Sequence, residues 1–278
     1  LQPERWCFLN RRKLQILGIF YAFVMRYINI DLPPSIGEIK VIPLFDLHIG
    51  SPQADLKLIS RYLQQDAYFI LGGDLMDAGI KNSIGNVYHQ EMTPQEQLDK
   101  LVEIFEPCKE RIIGICSGNH EQRINREVGI DILQVFAQLI QREKYYDPDS
   151  LLIHIRLGKN RHAKKTNYTF YVVHGWSGAR KPGGKMNAIQ ELRGVILADI
   201  YLVGHSHLKG VVCEDFFLPD HINKAIIKTQ QYFISVGSFL EYGDYAARRG
   251  MSVAQLGAPC IVLSGREKNI RVILEGEL

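Results

Sequence analysis

Leu71-Gly72-Gly73-Asp74-Leu75-Met76-Asp77 is the stretch on which the reading of this chain turns. Tyr68-Phe69-Ile70-Leu71 reads as a short buried strand, the glycine pair ends it, and Asp74 stands where strand gives way to loop. A carboxylate there can serve an ordinary turn, or it can reach two metal ions at once. Four other apolar runs end in a similar way. Asp46-Leu47-His48 follows one, Asn119-His120 a second, His174 a third, and Gly204-His205-Ser206-His207 a fourth. Oxygen and imidazole donors at every one of these strand ends are more than solvation of a surface requires, and they are the donor types of a metal site.

With 278 residues the chain has room for one large domain or two small ones, and 46% apolar against 23% charged residues is the balance of a soluble globular protein. A net charge of +3 permits a phosphorylated or nucleic-acid substrate without demanding one. Cys7, Cys108, Cys116, Cys213 and Cys260 are odd in number, scattered, and nowhere spaced as C-x-x-C. That excludes a disulfide framework and a thiolate zinc site, and it points to reduced thiols in the cytoplasm.

Residues 1–38 stand apart. Arg11-Arg12-Lys13 ahead of Leu14 to Met25 has the charged and apolar parts of a signal peptide, without a small-residue cleavage site after them. The apolar run falls short of the roughly 20 residues a membrane span needs, and Arg26 ends it, so no stable span is expected. Three readings stay open: a helix packed on the domain, a weak interfacial anchor, or sequence upstream of a start at Met25.

Residues 39–278 read as one domain. Ile39 to Phe45, Tyr68 to Leu71 and Arg111 to Cys116 are strands; Ser51-Pro52 supplies a helix cap, and Thr93-Pro94-Gln95-Glu96 is a capping box. A further helix is expected from about Ile130 to Glu143. After Tyr146 strands dominate: Leu151 to Leu157, Tyr168 to Val173, Ile200 to Val203, Val211 to Phe217, Ala225 to Thr229, Tyr232 to Val236, Cys260 to Leu263 and Ile270 to Leu274, with a short helix over Met186 to Arg193. The chain contains no internal repeat and no linker that would divide it. The sum is a single α/β domain with mixed sheets and ligands gathered at one rim.

Asp-x-His, Gly-Asp, Gly-Asn-His-Glu, a strand-end His and Gly-His-x-His, in that order between Ile39 and Leu274, resemble the calcineurin-like metallophosphoesterase family. The resemblance implies a four-layer α/β/β/α sandwich with two mixed sheets. It also implies a binuclear centre in which Asp46, His48 and His207 hold one ion, Asn119, His174 and His205 hold the other, and Asp74 bridges them. Oxygen and nitrogen donors without thiolate suit two Mn ions, with Fe and Zn as alternatives, and a pair about 3.5–4 Å apart needs a bridging carboxylate. On extended backbone His205 and His207 would point the same way, whereas a tight turn can aim one at each ion. Family likeness makes a water between the ions the nucleophile. It places His120 at the leaving-group oxygen as general acid or charge stabiliser, and makes Asp77 the carboxylate that orients it. Glu121 is expected to make a structural contact beneath the site, and His89, His154, His162 and His221 fit no block.

Gly175-Trp176-Ser177-Gly178-Ala179-Arg180-Lys181-Pro182-Gly183-Gly184-Lys185 follows the candidate ligand His174 and is basic and glycine-rich, so Arg180 and Lys181 are expected to contact substrate phosphate. Glu241-Tyr242-Gly243-Asp244-Tyr245-Ala246-Ala247-Arg248-Arg249 mixes aromatics and arginines, a pattern able to stack bases or simply to pack. The function expected is two-metal hydrolysis of phosphate esters, diesters ahead of monoesters, with DNA or RNA among the candidate substrates. The alternatives are a phosphomonoesterase acting on proteins or small molecules and a metal-binding interaction module without catalysis. An intact His120 counts against the last, and the oligomeric state is left open.

Overall fold

The computed structural model describes residues 25–80, 90–176, 178–243, 247, 250 and 252–274. In chain order its elements are β1 (Arg26–Asp31), β2 (Glu38–Leu44), α1 (Leu56–Leu63), β3 (Tyr68–Gly72), α2 (Pro94–Phe105), β4 (Ile112–Cys116), α3 (Asn119–Val128), α4 (Ile132–Leu139), β5 (Tyr146–Asp147), β6 (Ser150–Leu157), β7 (Thr166–Val173), α5 (Pro182–Gln190), β8 (Ile200–Val203), β9 (Lys209–Asp220), β10 (Ala225–Val236), β11 (Cys260–Ser264) and β12 (Ile270–Ile273).

The strands form two six-stranded sheets, β12-β11-β2-β3-β4-β5 and β1-β6-β7-β8-β10-β9. In the first, β2 to β5 run parallel and β11 and β12 antiparallel; in the second, β7, β8 and β10 are parallel neighbours and β6 and β9 pair antiparallel. Strands β3 and β4 are apolar almost throughout because the parallel part of a sheet is covered on both faces. Strand β6 alternates instead: Leu151, Ile153, Ile155 and Leu157 are buried, and His154 and Arg156 are only half-buried. The main core fills the space between the sheets and takes in Ile59 of α1, Leu101 and Phe105 of α2, and Leu133 and Phe136 of α4. A second cluster, Tyr171, Tyr201 and Phe233 with Ile189 of α5, lies on the far face of the second sheet. Helix, sheet, sheet and helix thus make the four layers expected.

Several elements differ from the sequence expectation. Strand β1 precedes Ile39 yet belongs to the sheet, pairing in parallel with β6 and burying Ile28 and Ile30. Helix α1 begins at Leu56, because the Asp55 carboxylate accepts the Leu58 N–H at 2.8 Å and caps it, while Ser51 Oγ closes a turn on the Gln53 N–H. The helix expected over Ile130 to Glu143 is trimmed to α4 by its own cap, Asp131. Ahead of it α3 starts inside the Gly-Asn-His-Glu block and stops at Gly129, whose φ of 73° a Cβ would resist. The strands expected at Ala225 to Thr229 and Tyr232 to Val236 are one strand, paired along its length with β9. The Thr93/Glu96 capping box is present as expected.

Among the described residues no helix is long and apolar enough to cross a membrane. Cys108, Cys116, Cys213 and Cys260 are free thiols, whereas Cys7, with the rest of residues 1–24, lies outside the described residues.

Candidate metal centre

Five loops leave the carboxyl ends of β2, β3, β4, β7 and β8, three from one sheet and two from the other, and parallel strands collect ligands at that end. The loops bring the seven candidate ligands together. Asp46, His48 and His207 offer donor atoms all within 4.8 Å of one another, and so do Asp74, His174 and His205. Asn119 Oδ1 joins the second group, 3.2 Å from His174 Nε2 and 2.7 Å from His205 Nδ1. Asp46, His48, Asp74, His205 and His207 all have left-handed backbone, with φ between 48° and 61°. Non-glycine residues rarely adopt it, and it is concentrated where a site dictates backbone direction. In the Gly-His-x-His turn it separates two rings that an extended strand would have stacked on one side.

In the second group, His174 Nδ1 lies 2.9 Å from the Gly72 carbonyl, which can only accept. The ring hydrogen therefore sits on Nδ1, and Nε2 turns to Asp74 Oδ2 at 3.2 Å. Burial alone would push the His174 imidazolium down, but the Asp74 carboxylate outweighs it and holds the group at about 10. Asp74, although buried, is held well below the usual carboxylate range, chiefly by His174.

In the first group, His48 Nε2 lies 3.4 Å from His207 Nε2 and 3.9 Å from Asp46 Oδ1, and His207 Nε2 lies 3.4 Å from the same oxygen. Asp46 is fully buried; its Oδ2 accepts the His205 N–H at 2.9 Å, but Oδ1 has no hydrogen-bond partner among the described residues. A buried carboxylate oxygen left unpaired is costly, and one facing two imidazole nitrogens is suited to a divalent cation.

His48, Asp77 and His120 form a third group. Asp77 Oδ1 lies 3.3 Å from His48 Nδ1 and 3.4 Å from His120 Nδ1, while Gln90 donates to the other oxygen. His120 Nδ1 is nearer the Asp77 carbonyl, at 2.7 Å, so the main chain as well as the carboxylate of Asp77 fixes that ring. Burial lowers the His120 imidazolium, and the hydrogen bond to Asp77 with the field of Asp74 more than reverses it, leaving it raised. This group buttresses the first, since both rings present Nε2 to the centre.

Beneath the ligands Glu121 accepts the N–H groups of Asp74 (3.0 Å), Gly118 (3.0 Å) and Met76 (2.9 Å). Close packing dictates the glycines: a Cβ on Gly118 would stand 2.1 Å from Asp74 Oδ1, and one on Gly204 2.7 Å from Asp46 Oδ2. Sequence reasoning missed Gln97, which is fully buried, accepts the Ala78 N–H at 2.8 Å and donates to Gln90 and Met92. A glutamine beside Leu98 and Leu101 on the apolar stripe of α2 is the signal that could have found it. Arg180 and Lys181 are exposed, and neither side chain makes a hydrogen bond or ion pair among the described residues. Lys181 is the N-cap residue of α5. His89, Asp244, Tyr245, Ala246, Arg248 and Arg249 lie outside the described residues.

No family model matches the chain, and no curated protein matches it. Among solved structures, Vacuolar Protein Sorting 29 from Cryptosporidium parvum is 15% identical over 86% of this chain and 98% of its own, at a TM-score of 0.39. A metallophosphoesterase from Sphaerobacter thermophilus is 14% identical over 82% of this chain and 84% of its own, at 0.41. The phosphoesterase Yfce from E. coli is 16% identical over 85% of this chain and 99% of its own, at 0.36. Likenesses this distant decide nothing about the site; the converging ligands do. In the order of its ligand blocks and the four layers that carry them, the chain resembles the calcineurin-like metallophosphoesterases.

Proposed function

We propose that the chain is a two-metal hydrolase of phosphate esters that takes diesters in preference to monoesters. The observation that carries the reading is the unpartnered Asp46 Oδ1, set among imidazoles next to a second cluster built on Asp74. In this reading Asp46, His48 and His207 would hold one ion and Asn119, His174 and His205 the other, with Asp74 the carboxylate that would serve both. Mn fits the donors, with Fe and Zn as alternatives. When bound, the pair supplies Lewis-acid polarisation of the phosphoryl oxygens and acidifies a water.

The chain's own residues supply the rest. With its Nδ1 hydrogen on the Asp77 carbonyl, the His120 ring is fixed, and Nε2, 3.8 Å from Asp74 Oδ2, faces the centre. Asp77 and Asp74 raise its affinity for a proton, and Nε2 is the atom from which that proton would pass to the departing alkoxide. Asp77 steadies both His120 and His48. Asp46, His48, Asp74 and His174 are buried, while Asn119, His120, His205 and His207 are partly open to solvent. A chain of linked phosphates can lie across such a rim, which supports the diester preference. In this reading Arg180 and Lys181, exposed on the segment that follows His174, are the contacts for substrate phosphate.

The test is metal content by elemental analysis, followed by hydrolysis of bis-p-nitrophenyl phosphate against p-nitrophenyl phosphate, with Mn returned after chelation. Two bound ions and faster diester turnover are expected. Failure to retain divalent ions sinks the reading; two ions with activity on neither ester would favour an interaction module.

A further inference from the structure

Trp176 is 82% exposed, two residues beyond His174, and has no ring or cation contact among the described residues. Two residues span at most about 7 Å of chain, so Trp176 leaves the main chain close behind the candidate ligand His174. The loop it begins is tied to candidate ligands at both ends: His174 starts it, and Lys185 Nζ donates to the Ser206 carbonyl at 2.7 Å, between His205 and His207. From Gly175 to Gln190 the sequence holds Arg180, Lys181 and Lys185 and no acidic residue. Elsewhere along the chain, the Phe239 N–H bonds to the Asp46 carbonyl at 3.0 Å and the Glu241 N–H to the Gln53 carbonyl at 2.9 Å. Tyr242, 47% exposed, therefore stands beside the loop that carries Asp46 and His48. Two exposed aromatic residues thus adjoin the segments that carry candidate ligands, and the segment of Trp176 continues into Arg180 and Lys181.

Large exposed aromatics on segments that also carry the exposed cations Arg180 and Lys181 suit a ligand with π-faces and regularly spaced negative charge. Resting on the two-metal reading above, we propose that Trp176 and Tyr242 are stacking platforms for unpaired bases, and that the diester drawn across the centre is a single-stranded nucleic acid. Duplex bases are already stacked on one another and offer these rings no face.

Intrinsic fluorescence tests the proposal. The chain has two tryptophans, so Trp6→Phe in the full chain leaves Trp176 as the only indole. A phosphorothioate oligothymidylate of about 15 nucleotides, which resists cleavage, should quench it, and rising salt should weaken binding. Inorganic phosphate and a duplex of the same length should not quench. Trp176→Ala and Tyr242→Ala should each weaken oligonucleotide affinity, read by anisotropy, by roughly 5- to 150-fold. Quenching by duplex equal to that by single strand, or affinities unchanged in both variants, would overturn the proposal. Absence of quenching in a chain that retains two ions and hydrolyses bis-p-nitrophenyl phosphate would overturn it alone and leave the reading of the centre standing. Failure to retain ions would fell that reading first.

Discussion

The Glu121 carboxylate accepts the backbone N–H of Asp74 at 3.0 Å, so a residue of the second donor group is positioned from below by a carboxylate that belongs to neither group. Glu121 is fully buried, and burial, reinforced by Asp74, raises its pKa. Glu121→Gln keeps the shape but turns an NH2 towards main-chain donors, so at least one buried N–H is orphaned. A loss of about 2–4 kcal/mol in chemical denaturation is expected, together with weaker ion retention. Normal metal content in the variant would show that Glu121 has no hold on Asp74.

His120 acts on the leaving group and binds no ion in the scheme proposed. His120→Asn should therefore leave metal content unchanged and lower kcat for bis-p-nitrophenyl phosphate by about 10²- to 10⁴-fold. Loss of one ion equivalent in the variant would instead make His120 a ligand, as its membership of the third donor group allows.

Ion binding should strengthen as pH rises. The metal-free His174 carries its proton up to about 10, against an ordinary value of 6.5, and an ion needs the lone pair which that proton occupies. Apparent affinity should climb about tenfold per pH unit from about pH 6 to about pH 9 for this one proton. The stability of the chelated chain runs the other way. The raised folded-state pKa contributes stability that is fully present below 6.5 and lost as pH approaches 10. Added Mn at about 100 times its Kd should restore about 2.7 kcal/mol, read as a higher Tm.

Tyr168 separates the fold from the centre. It is fully buried on β7; its hydroxyl accepts the Asn269 N–H at 2.9 Å and donates to the Ser264 carbonyl at 2.7 Å, tying the second sheet to the β11–β12 hairpin of the first. Tyr168→Phe should cost about 1–3 kcal/mol by calorimetry without altering metal content. A variant that loses its ions would show the two to be coupled.

The order of donors along the chain was legible because each sits directly after an apolar run, and parallel strands bring their carboxyl ends to one rim. Local chemistry was harder to read. Asp55 outcompeted Ser51 as a cap, and a helix began within the Gly-Asn-His-Glu block, because such choices depend on which side chain finds a main-chain donor after packing. Left-handed φ at Asp46, His48, Asp74, His205 and His207 leaves no mark in residue type, since none of these is glycine. Gln97 and Gln90 are hard to read for the same kind of reason: their partners are loop groups that only the fold brings near. Strand β1 is hard to read because it follows directly on the apolar run Leu14 to Met25.

That the five ligand loops come from two different sheets has a mechanical corollary. Cations seated among them would rivet residues 46–119 to residues 174–207 at one end of the sandwich, opposite the turns that open the strands. Stripping those cations should then quicken amide exchange along β3 and β7 together, as the two halves gape at the unfastened end.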